Sequence, residues 1–419
     1  MQRRVDVGIE EAREDVLALA AGLLLAVSAG AWNWWLRGAD SGPQIAATGA
    51  AGSQPGSPVV GTLRPLVEQT AWSFGRAGAN NSSEFHQGDT IWLEAGAAEL
   101  RFASDTVAVL ESPVIMQVLS MDRVRVIDGG VKVEVAKGAE GFSVETDAAE
   151  VIDLGTVFSV NVENGNTDLV VFDGEVDLKV TPPGGAGEEQ PQSPAKRFRA
   201  GEAVQVSHDG TLSRIVNVRQ SSLPSIGGSA EDEPLIASVR DNNVRADFYS
   251  FYEIVPGGMR EDAKAFVDRP HEWNGIHSAG MPAYLVSGDY VKTFNNDKVI
   301  DALSIHVTLS RPAVLYVLFD KRLRPPKWLR ESFEDTGDEI GMDEVHFRPD
   351  DPEHYQQGEL RVGAGQGVNR THSIWKREVP QGGMVRLGAN GELVEAPPEG
   401  VMSKANMYGI VAVSYDGHH

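Results

Sequence analysis

The strongest constraint on this chain is the recurrence of short alternating apolar runs between residues 60 and 215. Val131-Lys132-Val133-Glu134-Val135 is the clearest: apolar and charged side chains take turns, which puts one set on each face of an extended strand. Ile91-Trp92-Leu93, Leu100-Arg101-Phe102, Val124-Arg125-Val126 and Val176-Asp177-Leu178-Lys179-Val180 repeat the pattern, with Gly, Asp and Asn at the turns between them. This spacing leaves almost no room for helix and predicts a mainly β fold, either an antiparallel sandwich or a solenoid-like stack. A content of 45 glycines and 22 prolines agrees with many turns between short strands.

At the centre of the region lies the stretch 141–160, in which Phe142 and Val144, then Val151, Leu154, Val157, Phe158 and Val160, read as strands joined at a polar corner. Asp153 and Thr156 bracket Leu154-Gly155. A short carboxylate and a hydroxyl beside a glycine can bond nearby backbone N–H groups while the glycine takes a conformation other residues avoid, so Asp153, Gly155 and Thr156 are expected to form a fixed turn.

The 419 residues suffice for two domains and an anchor. A net charge of −23 argues against nucleic acid and against adhesion to anionic lipid, because phosphate neutralisation needs clustered Lys and Arg. Cysteine is absent, which removes disulfide scaffolds, thiolate metal sites and cysteine nucleophiles.

Residues 16–36 carry no charge and match the ~20 helical residues needed to cross a hydrocarbon core, so they are expected to form one transmembrane helix after a short cytoplasmic segment, 1–15. Trp32, Trp34 and Trp35 fall at its end, where indoles favour the lipid–water interface. A cleaved signal peptide ending at Val27-Ser28-Ala29 is the competing reading; the anchor is preferred because the apolar run continues past that site. Arg3, Arg4 and Arg13 favour an inside N-terminus, leaving the bulk of the chain outside the cytoplasm. Residues 37–59 read as a flexible tether, 60–218 as the first β domain, 219–234 as a linker and 235–419 as a second β domain. Within the first, 181–195 is a long loop, and Lys196, Arg197 and Arg199 read as a solvated strand edge. Within the second, Pro325-Pro326 ahead of Trp328–Phe333 predicts one short helix.

No catalytic motif appears, and neither a cofactor nor a metal is expected. Gly363-Ala364-Gly365-Gln366-Gly367 lacks dinucleotide-binding spacing and reads as a surface loop; Asp350, Asp351, Glu353 and His354 do not match a calcium loop. His271 or His277 would serve as an acid or base only with a carboxylate such as Asp268 beside it. His418 and His419 read as a frayed terminus. The aromatics of the second domain, Trp273, Tyr284, Tyr290, Trp328 and Trp375, are more suggestive. Flat rings flanked by Asn, Asp and Arg are what sugar faces stack on, and Trp273, Tyr290 and Trp328 are the candidate carbohydrate-stacking residues, weighed against a place in the core.

Four blocks in one order carry a resemblance to a known family: Gly88–Gly96, Ala98–Pro113, the stretch 141–160 with Asp153-Leu154-Gly155-Thr156, and Val171–Val176. Together they resemble the FecR family, the extracytoplasmic sensor domain of bacterial transmembrane regulators. The resemblance implies a β domain in the periplasm, an inner-membrane span, and signalling through a sigma factor or an envelope signalling protein. The ~15 residues ahead of the span are too few for an independently packed sigma-binding domain, so a separate protein supplies that part or the true start lies upstream. The larger C-terminal β domain also departs from the family and faintly resembles carbohydrate-binding sandwiches. The expected function is therefore a non-enzymatic, membrane-anchored sensor or regulator with a possible glycan ligand. The alternative is a surface polysaccharide hydrolase with a FecR-like accessory domain, which requires two carboxylates facing each other at roughly 5–10 Å.

Overall fold

Period-2 patterning decides the first sheet. The strands Val107–Ser120 and Arg123–Glu134, 14 and 12 residues long, form an antiparallel hairpin at its centre. Val124 and Val126 are buried near the hairpin turn, Val131 and Val133 further along, so the inward parity switches from even to odd between them. The partner strand accommodates this by a register shift between Glu111 and Ile115, opposite Gly130 and Asp128; without such a bulge the next apolar residues would point into water. Val157–Glu163 pairs on the far side with Phe158 opposite Val133 and Val160 opposite Val131, and Asn166–Asp173 continues the ladder. Among the described residues, 15 strands between Val59 and Arg214 join one sheet system. Phe85, Phe102 and Phe142 pack edge-to-face in its core with centroids 5.1 Å apart along the row. Each such buried ring contributes about 1.5–3 kcal/mol.

The structure, a computed structural model, describes residues 57–75, 82–136, 138–181, 194–219, 234–243, 247–344, 360–394 and 405–415. The expected segments 1–15 and 16–36, nearly all of the tether 37–59, the interiors of the linker 219–234 and of the loop 181–195, the residues Asp350, Asp351, Glu353 and His354, and His418 and His419 lie outside them. Among the described residues no helix is long and apolar enough to cross a membrane.

The turn at Asp153 is bonded from within. Asp153 is fully buried; Gly155 N–H donates to its Oδ2 at 2.8 Å and the Thr156 hydroxyl donates to its Oδ1. Gly155 adopts φ +97°, a region open to glycine at little cost. Burial pushes the Asp153 carboxyl up to about 6, against the pull of the Gly155 N–H.

After Arg214 the described residues build a nine-stranded sheet and a three-stranded one. All eight residues of Ala313–Asp320 are buried, and this strand sits between Gly409–Ser414 and Val368–Val379. Leu315, Val317 and Phe319 share an apolar cluster with Ile305, Val307, Val385 and Leu387 of the smaller sheet. The short helix runs from Lys327 to Ser332, directly after Pro326. The strand Asn217–Arg219 pairs in parallel with Tyr252–Val255, so the chain joins the second sheet system before residue 219. Val170 and Ala203 of the first sheet pack with Phe251, Val267 and Phe294, which lie just outside the strands of the second system.

Candidate functional site

Burial sorts the aromatic candidates. Trp273 is 1% exposed, wedged between Phe266 and His372, and Tyr290 is 3% exposed with its hydroxyl donating to the Lys264 carbonyl at 3.2 Å. Trp328 is half-buried: its indole N–H donates to the Ala389 carbonyl at 2.8 Å and its ring packs against Phe333 and Tyr408. The first two offer no free face to a sugar, and the third is engaged in holding the short helix to the sheet. Large flat rings were needed to fill a wide core, which is the usual fate of tryptophan. Trp375, 8% exposed, follows the same rule.

Tyr284 is the exception. It is 37% exposed and lines an open cleft of about 530 Å³ together with His277, Asp338 and Glu339. One side of its ring stacks on Tyr316 at 5.2 Å and 23°, and its hydroxyl donates to Asp338 Oδ2 at 2.9 Å. Burial and that carboxylate push the phenol up from its ordinary value.

Two backbone devices shape the cleft. On one wall the chain leaves the register of the ladder between Asp335 and Glu339, and Gly337 at φ +77° makes the turn. The Thr336 hydroxyl donates to the Ile374 carbonyl at 2.8 Å and accepts from Asp338 N–H at 3.1 Å, so Asp338 is held at the cleft. Glu339 pairs with Lys321. On the other wall Gly275 is in contact with Gly280; a Cβ at Gly275 would come within 2.0 Å of the Gly280 carbonyl carbon. Glu261 clamps this loop by accepting from Gly275 N–H at 2.8 Å and from Met281 N–H at 2.5 Å. The glycine-rich run found in the sequence backs the same loop: Gly365 N–H donates to the Gly275 carbonyl at 2.9 Å and Gly363 N–H to Asp262. It is a packing surface as well as a loop.

An aromatic face beside two carboxylates and an imidazole suits a neutral polyhydroxylated ligand, whose hydroxyls donate to the carboxylates while its apolar face covers the ring. Both cleft carboxylates come from consecutive positions on one wall, whereas glycoside hydrolysis uses two flanking the scissile bond. The imagined acid–base pair is not assembled: Asp268 pairs with Arg269 at 3.1 Å and accepts from Asn295 N–H, while His271 packs edge-on against Phe266. Burial takes His271 down to about 3. Among the described residues no group of three or more His, Asp or Glu side chains is placed to hold a metal. The basic group on the strand Lys196–Arg199 is paired along the edge, Arg197 with Asp177 and Arg199 with Glu175, both at 2.9 Å. Tyr284 was among the aromatics visible in the sequence, but nothing in residue order distinguished it from the buried rings.

The architecture is that of a mainly β protein whose first sheet system precedes a second, larger core. Residues 89–177 of that first system match the family described as FecR protein, which bears out the resemblance read from the four sequence blocks; Asp153, Gly155 and Thr156 lie inside the matched segment. No curated protein matches the chain. Among solved structures, a protein from Parabacteroides distasonis ATCC 8503 provisionally described as an anti-sigma factor is 22% identical over 30% of this chain, with a TM-score of 0.24, and the match spans 57% of its length. A β-glucuronidase of glycoside hydrolase family 2 is 15% identical over 83% of this chain and 38% of its own, with a TM-score of 0.30.

Proposed function

We propose that this chain is a bacterial regulatory protein of the FecR type, held in the inner membrane through residues 16–36 with its β sheets in the periplasm. It works through protein contacts and catalyses no reaction. The observation that carries the reading is the FecR match across residues 89–177, which covers strands from Thr90–Ala95 into Glu175–Val180. The cleft at Tyr284 supports a receiving role for the second sheet system, with a glycan of the cell envelope as the ligand. A cleft of about 530 Å³ falls within the range of small-ligand sites.

Cross-linking in cells followed by membrane fractionation tests the regulatory part: the expected partner is a sigma factor or an envelope signalling protein. Recovery of the chain from the cytosol without any such partner would overturn it. Glycan-array binding tests the cleft, with loss expected in Tyr284→Ala at unchanged melting temperature; release of sugar products by the wild-type protein would overturn the non-enzymatic assignment.

A further inference from the structure

Where the two sheet systems meet, Lys132 and Phe172 from the first and Glu253, Lys264 and Lys292 from the second line a cavity of about 110 Å³. Three ammonium groups thus share it with one carboxylate. Glu253 is committed: its Oε2 lies 3.0 Å from Lys292 Nζ, and both side chains are largely buried. Lys132 Nζ lies 4.9 Å from the Phe172 ring centroid, an attraction weaker than an ion pair. The Lys264 ammonium has no hydrogen-bond or ion-pair partner among the described residues. Burial holds Lys264 below the ordinary lysine value; Asp173 opposes this and Lys292 adds to it. Asp268, further off, is occupied by Arg269.

Glu253 answers one of the three lysines and Asp173 offsets part of the charge on Lys264, so the lining keeps a surplus of positive charge. Lys292 is largely buried and Lys264 half-buried, while Lys132 reaches in from an exposed position; ammonium groups drawn from water need an opposite charge or hydrogen-bond acceptors, and compact Lys charges are suited to oxyanions. The space is well below the ~300–1,000 Å³ of sites for drug-sized ligands. We infer that this cavity binds one free inorganic oxyanion, hydrogen phosphate or sulfate. The bound anion joins Lys132 of the FecR-like sheet to Lys264 and Lys292 of the second system, so its occupancy is a term in how firmly the two hold together.

Calorimetric titration and thermal melting of the full-length protein in sodium phosphate and sodium sulfate, against sodium chloride at matched ionic strength, test this. Saturable binding of either oxyanion is expected, with a rise in melting temperature beyond that in chloride. Lys264→Met should weaken binding about tenfold or more by removing an unpaired donor. Lys132→Gln, at an exposed strand position, should weaken it as well while leaving the melting temperature in chloride unchanged, which keeps the test valid if Lys264→Met fails to fold. Equal effects of all three salts, or full oxyanion binding in Lys132→Gln, would overturn the inference. The FecR reading stands or falls separately, since it makes no use of these lysines.

Discussion

Replacing Asp297 by Asn removes a charge that the fold holds out of water. Asp297 is 1% exposed, in the 3-10 turn Asn295–Val299. The Tyr252 hydroxyl lies 2.7 Å from Asp297 Oδ2 and 3.0 Å from Asp241 Oδ2. Asp241 is already held by Arg214 through two bonds, at 2.9 and 2.8 Å. One phenolic proton serves one carboxylate, so a proton on Asp297 satisfies the second short contact. Burial first, and Asp241 as well, push the Asp297 carboxyl up to about 7 from 3.8, against the Tyr252 hydrogen bond and the Arg214 charge. The folded state therefore keeps a proton that the unfolded chain releases: the stability is fully present below pH ~3.8 and is lost as pH rises through ~7. At 1.36 kcal/mol per pKa unit the loss is at most about 4 kcal/mol, and relaxation around the buried charge brings the expectation to about 2 kcal/mol. Asn keeps the shape and donates to Tyr252 without the charge. Urea unfolding of wild type and Asp297→Asn should show the variant more stable by about 2 kcal/mol near pH 8, with the gap closing near pH 4. A gap of the same size at both pH values, or a less stable variant near pH 8, would refute the argument.

Other expectations follow from the same geometry. Asp153→Ala deprives Gly155 N–H and the Thr156 hydroxyl of their acceptor and should lower stability by about 1–3 kcal/mol, read from the urea midpoint. Gly275→Ala drives a methyl into Gly280 and should destabilise by about 1–3 kcal/mol while abolishing binding at the cleft, which melting and ligand titration would show together. Trp273→Ala should lower stability by about 3–5 kcal/mol, whereas Tyr284→Ala should leave the melting temperature nearly unchanged, a contrast set by their exposures of 1% and 37%. His372 is buried and held down to about 4, so it acts in the opposite sense to Asp297: the stability it contributes is present above pH ~6.5 and lost as pH falls through ~4. His372→Met should flatten that acid limb of the melting curve.

What the sequence revealed, and what it left hidden, divides along the range of the interactions involved. The strand Arg123–Glu134 was readable because alternation is a local property, carried by Val131, Lys132 and Val133 themselves. The Asp153–Thr156 turn was readable for the same reason: donor and acceptor lie within three residues. Tyr284 was visible as an aromatic but not as a site. Its environment comes from Tyr316, Asp338 and the glycines after residue 362, brought together by ladder pairing over many residues. Trp273 shows the converse, since its flanking Asn274 and His271 look like a polar setting in the sequence. In the fold Asn274 Oδ1 accepts from Asp262 N–H at 2.8 Å and His271 turns to Phe266, so both polar neighbours are themselves interior. Local polarity in the sequence therefore does not by itself mark a surface, because what surrounds these side chains is set by topology. The three lysines around the inter-sheet cavity make the same point: they stand at positions 132, 264 and 292, each unremarkable in its own strand, and only the meeting of two sheet systems turns them into one concentration of charge.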